Sequence, residues 1–171
     1  MKKLFVLFVL FLSFQMYGQE QLQSESVNFL QFTSNKVIQL SEAIPADTYN
    51  WAPEEGVRTF AQIFAHIISA NYFFGSKLGA EVPSEIDMQS LEKNLDTKEE
   101  IQKALQGSYD FIFNAIKETP YEVLSDKVEY PFPGEYTNMS SILISMSHSN
   151  EHLGQLIAYS RMNGITPPWS E

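Results

Sequence analysis

Four stretches of about twenty residues repeat apolar side chains at the three-and-four spacing of a helix, and no comparable run alternates apolar and polar residues as a half-buried strand would. Residues 24–43 place Val27, Leu30, Val37, Ile38 and Leu40 on that period, and Pro45 closes the segment. Residues 59–77 open on Thr59, an N-cap with Gln62 three positions on as capping-box partner, and reach an end marked by Gly75 and Gly79. Residues 97–118 open on Thr97 and Glu100 in the same pattern. They carry Ile101, Leu105, Ile112 and Ile116 on the period and stop before Pro120. Residues 137–162 begin at the cap Thr137 and end at Asn163-Gly164, with Pro167-Pro168 beyond. Helices of this length must bury their apolar stripes against one another, so the pattern predicts an all-α fold, a four-helix bundle.

The connections differ in character. Residues 45–58 form a loop with Pro45, Pro53 and a Trp51 of the kind usually found buried. Residues 79–96 are polar, contain Pro83, and predict a long, solvated crossover. Residues 121–136 include Tyr-Pro-Phe-Pro-Gly-Glu-Tyr at 130–136, which reads as extended chain or a short hairpin. No internal repeat, low-complexity tract or second-domain boundary interrupts the chain.

The first residues read as a leader and not as part of the bundle. Lys2 and Lys3 precede an apolar run from Leu4 to Phe14 that is too short to span a bilayer comfortably, and Gly18 offers a small residue for cleavage. The expectation is a signal peptide at residues 1–18 and a single domain at 19–171, exported to the periplasm or the extracellular space. Met16 at the −3 position leaves a retained anchor open. No cysteine occurs, which excludes a lipid-anchored lipoprotein, a thiol nucleophile and a disulfide framework. Losing the two leader lysines takes the net charge from −10 to −12, a balance that disfavours nucleic acid and anionic membrane surfaces as partners.

The chain has three histidines, and their placement points to chemistry. His148 and His152 are four residues apart, one turn apart on a single helix face. On a helical wheel Ser141, Ser145, His148, His152, Gln155 and Tyr159 share a stripe about 80° wide beside Ile142, Met146, Leu153, Leu156 and Ile157. His66 lies among Ile63, Ile67, Ala70 and Phe74 on the second segment. Side chains from facing helices point into a bundle's core, so three imidazoles there make a candidate metal site with a coordination position left open. The same placement also suits histidines that merely satisfy the edge of a core, and the residues alone leave both readings open. Ser145 or Gln155 would serve as acceptors for the ligands' second nitrogens. Gln155 and Tyr159, one and two turns beyond His152, would orient water or substrate. Trp51, Phe73 and Phe132 suggest an apolar mouth or simple packing at the bundle ends.

His148-Ser-Asn-Glu151-His152 also satisfies H-x-x-E-H, a metallopeptidase pattern with glutamate as general base. Such enzymes need another acidic ligand far downstream, and the short stretch after His152 does not provide one. Glu151 also falls on the solvent edge of the wheel. There is no G-x-S-x-G elbow, phosphate-binding glycine loop or dinucleotide fingerprint.

Residues 57–74 (VRTFAQIFAHIISANYFF) and 148–169 (HSNEHLGQLIAYSRMNGITPPW) together resemble the DinB-like four-helix-bundle superfamily. The resemblance rests on Arg58, Thr59 and His66, then on His148, His152, Gly154, Gln155, Arg161, Gly164, Pro167 and Pro168, with Trp51-Ala52-Pro53 as a W-x-P turn upstream. It covers most of the chain after the leader. It implies a divalent ion on His66, His148 and His152, with zinc first and nickel, iron or manganese open, and it implies a homodimer. Family members with known chemistry include metal-dependent hydrolases and transferases that use low-molecular-weight thiols in the cytoplasm, from which an exported chain departs. The expected function is metal-dependent hydrolysis of an unidentified small molecule. The alternatives are a non-catalytic metal- or ligand-binding bundle and a metal-dependent transferase.

Overall fold

In the computed structural model, residues 21–95 and 97–170 are described, so the leader expected at residues 1–18 lies outside the described residues. Four long helices form an all-α bundle: α1 (Gln21–Ala43), α2 (Phe60–Lys77), α3 (Lys98–Glu118) and α4 (Asn138–Met162). The apolar period explains them: Leu30, Val37, Leu40, Ile63, Phe64, Ile67, Ile101, Leu105, Ile112, Ile142 and Leu156 are all fully buried in one core. No described helix is long and apolar enough to cross a membrane.

The ends follow from local chemistry. Thr59 and Gln62 close a reciprocal capping box at the start of α2, and Thr137 closes one with Ser140 at the start of α4. Thr97 makes only half of the expected box: its hydroxyl accepts from Glu100 N–H, but the Glu100 carboxylate takes up that same hydroxyl's proton instead of the backbone N–H. α2 and α4 both stop in Schellman motifs, with Gly79 at φ +91° and Gly164 at φ +71°. Gly75, expected at a fraying end, instead sits inside α2, where a Cβ would run into the Phe111 ring.

The helix directions require a long connection. α1 and α4 run one way, α2 and α3 the other. Lys98 Nζ, at the start of α3, donates to the carbonyls of Glu42 and Ile44 at the end of α1, while Gln23, at the start of α1, donates to Thr119 O beyond the end of α3. The chain must therefore travel back along the bundle between α2 and α3. This crossover differs from the solvated loop expected. Val82, Ile86, Met88 and Leu95 pack against the core, Leu91 is buried on a short helix at Leu91–Asn94, and Ser69 Oγ donates to Met88 O at 3.0 Å. Its apolar residues follow no period, which is why they read as loop. The connection between α3 and α4 holds a two-residue antiparallel pair, β1 (Lys127–Val128) and β2 (Tyr136–Thr137), as the hairpin reading expected.

Candidate metal centre

α2 and α4 lie side by side and bring all three histidines together. The ring centroids of His66 and His148 are 4.9 Å apart, those of His66 and His152 4.8 Å, and those of His148 and His152 4.5 Å. One nitrogen from each lies within 4.8 Å of the other two, the one such grouping of possible metal ligands among the described residues. His152 is buried, and His66 and His148 are half-buried, with the Phe74 ring edge-on to His148.

The second nitrogens show how the rings are held. His66 Nδ1 is 2.9 Å from Glu92 Oε1, and His152 Nδ1 is 2.9 Å from Gln155 Oε1. Both partners are acceptors, so both rings carry their proton on Nδ1 and leave an Nε2 lone pair facing the cluster. His66 Nε2 and His148 Nε2 stand 3.1 Å apart. Nitrogens about 2.0–2.1 Å from a tetrahedral zinc lie roughly 3.3 Å from one another, so the donor set fits a divalent ion with small side-chain rotations.

Electrostatics favour the neutral rings that ligation needs. Burial pushes His148 down to about 3, helped by the charges His152, His66 and Arg58 would place beside it. Burial also lowers His66, with Arg58 and His152 adding to the effect and Glu92 opposing it. Burial works to raise Glu92, but the hydrogen bonds and charge of Arg58, and then His66, hold it below the usual carboxylate value. At neutral pH the His66–Glu92 contact is therefore a neutral N–H donating to a carboxylate, not an ion pair.

Some expected roles move. Ser145 is buried but donates to Ile142 O at 2.7 Å and supports no histidine. Tyr159 receives Gln155 Nε2 at 3.2 Å, which links it to His152 by way of Gln155, and its ring packs edge-on against Trp51 and Phe60. Phe73 and Phe132 pack against Tyr130 near the hairpin, and Phe73 also packs edge-on against Phe74. Glu151 is exposed, as the wheel expected. Sequence reasoning missed Glu92 and the use of Arg58, which donates to it from Nε at 3.1 Å and Nη2 at 3.3 Å. The only sequence signal was a capable acceptor in the crossover.

A polar cleft of about 600 Å³ lined by Gly56, Val57, Arg58, Gln62, Glu92 and Gln155 opens beside the cluster. It shares Glu92 and Gln155 with the histidines' hydrogen bonds. Another cavity of about 510 Å³, between the start of α1 and the end of α3, holds none of the clustered ligands.

A family model described as the DinB superfamily matches residues 30–156. No curated protein matches the sequence. Among solved structures the chain is similar to a DinB-like protein from Bacillus cereus, with 18% identity over 82% of this chain and 93% of that one and a TM-score of 0.69. A DinB-like protein from Bacillus subtilis gives 20% identity, coverage of 83% and 93%, and a TM-score of 0.66. A mycothiol-dependent maleylpyruvate isomerase gives 14% identity over 78% of this chain and 60% of that one, with a TM-score of 0.62. At these identities the likeness to solved structures is one of fold.

Proposed function

The chain belongs to the DinB superfamily, and on that footing we propose that it is a metal-dependent enzyme acting on a small substrate, with hydrolysis as the reaction and His66, His148 and His152 as the ligands of a divalent ion. The observation that carries this reading is the convergence of three imidazole nitrogens within 4.8 Å, two of them with their protons held away on Nδ1. A divalent ion supplies Lewis acidity to a substrate oxygen and activates water at neutral pH. Zinc comes first because it suits imidazole donors, and nickel, iron and manganese are the competing outcomes. Glu92 and Gln155 orient two of the ligands, and Tyr159 holds Gln155. The cleft gives a small molecule access, and Arg58 and Gln62 line its wall. His152→Ala is expected to lose the metal, measured by elemental analysis of protein purified without an affinity tag. Full occupancy in that variant would sink the ligand assignment.

A second reading, thiol-dependent chemistry at the same centre, draws on the fold shared with the mycothiol-dependent maleylpyruvate isomerase. Turnover that requires an added low-molecular-weight thiol would favour it over hydrolysis. The proposal extends to export, from the leader pattern at residues 1–18, and to a homodimer, which exposed Phe29, Phe32 and Leu143 support. N-terminal sequencing of the secreted protein tests export: an intact Met1 counts against cleavage. Sedimentation tests the dimer: a monomer at every concentration counts against it.

A further inference from the structure

Among the described residues the Glu92 side chain makes three polar contacts, and none is to a neighbour in sequence. Its Oε2 accepts from Arg58 Nε at 3.1 Å, and its Oε1 accepts from Arg58 Nη2 at 3.3 Å and from His66 Nδ1 at 2.9 Å. The carboxylate thus joins the loop before α2, the α2 helix itself and the crossover. The crossover is held to α2 on the same side by buried Leu91 and by the Ser69–Met88 hydrogen bond.

We propose that Glu92 is a positioning residue that couples docking of the crossover to the three-histidine centre, with Arg58 aiming its carboxylate at His66. The inference rests on the metal-centre reading above and goes beyond it. A neutral imidazole has one N–H, so a carboxylate that holds that proton on Nδ1 leaves Nε2 as the donor towards the cluster. A hydrogen bond to an ionised acceptor is roughly twice as strong as a neutral one and makes the ring a better ligand. His152 receives the weaker, uncharged version from Gln155. His148 Nδ1 has no partner among the described residues, so support for the three rings is graded, with His66 the best anchored. A ligand on Nε2 also makes Nδ1–H a stronger donor, which tightens the contact to Glu92. Loading of the centre and docking of the crossover therefore stabilise each other, as linkage requires.

The test uses the full chain with zinc as the probe metal and compares wild type with Glu92→Gln and Glu92→Ala. In the alanine variant zinc affinity, measured by chelator competition, is expected to fall by about 10- to 100-fold, with the glutamine variant, which keeps an uncharged acceptor, in between. Zinc is expected to slow amide exchange across residues 86–95 in wild type and to lose that effect in Glu92→Ala. In metal-free wild type, imidazole nitrogen shifts are expected to report Nδ1–H on His66, and in the alanine variant a mixture of tautomers. A Glu92→Ala protein with wild-type zinc affinity and an unchanged tautomer overturns the proposal. If the alanine variant does not fold, zinc affinity and zinc-dependent amide exchange in Glu92→Gln decide it, and wild-type values for both overturn the proposal. Wild type that binds no zinc overturns the metal-centre reading instead, and the tautomer in metal-free protein still decides whether Glu92 holds His66.

Discussion

α2 makes two seams of opposite character. Towards α3 it closes on packing: Gly75 admits the Phe111 ring, Tyr72 lies 5.0 Å from Phe111 between centroids, and the polar exception, Asn71, donates to Ser108 Oγ at 3.1 Å. Towards α4 the seam holds three imidazoles, His66 from α2 and His148 and His152 from α4, and two of them need a further side chain to hold their protons. One seam is made by shape, the other by hydrogen bonds that reach outside the helix pair to Glu92. A bundle can carry a polar, solvent-reached site on one side of a helix when its other side is tightly filled. Stability and metal affinity should therefore respond to different substitutions.

The largest effect on that division is expected on the filled side. Phe64 is fully buried with its ring against Tyr49, and Phe64→Ala leaves that space empty. The cost is about 3–5 kcal/mol in chemical denaturation of the metal-free protein, with zinc stoichiometry unchanged in the folded fraction. His152→Ala makes the reciprocal case. It is expected to abolish metal binding, while the metal-free protein should lose only on the order of 1 kcal/mol, because Gln155 Oε1 can turn to water in the adjoining cleft. Equal destabilisation by the two variants would break the comparison and make the histidines ordinary core residues.

What could be read in advance follows the same line. The spacing of His148 and His152, the Thr59–Gln62 box and the glycines that end α2 and α4 are local, so the period and the caps announce them. Glu92 is 26 residues from His66 in a segment without period, and only the path of the crossover brings them together. Ser149 was invisible for a different reason: its burial rests on a 2.9 Å hydrogen bond to Tyr109 across the core, and a serine on a helix carries no mark of its partner. The three histidines were thus legible as a set, and so was Gln155, one turn beyond His152 on the same stripe, but Glu92 was not, because its support comes from whichever element the topology passes over the site. Tyr159 falls between these cases: its place on the histidine stripe was readable, its hydrogen bond to Gln155 was not.

Tyr159→Phe gives the smallest effect and the finest division. The ring keeps its edge-on packing against Trp51 and Phe60, and only the hydroxyl that receives Gln155 Nε2 is lost. Stability should fall by about 0.5–1.5 kcal/mol, the net worth of one hydrogen bond. Zinc affinity should fall by only a few-fold, less than in Glu92→Ala, because Gln155 still accepts from His152 when its amide is freed. The substitution therefore tests whether Tyr159 works through Gln155 or directly. If turnover drops by more than tenfold while zinc affinity and stability stay at wild type, the hydroxyl reaches the substrate itself, and the polar seam extends two turns beyond the histidines.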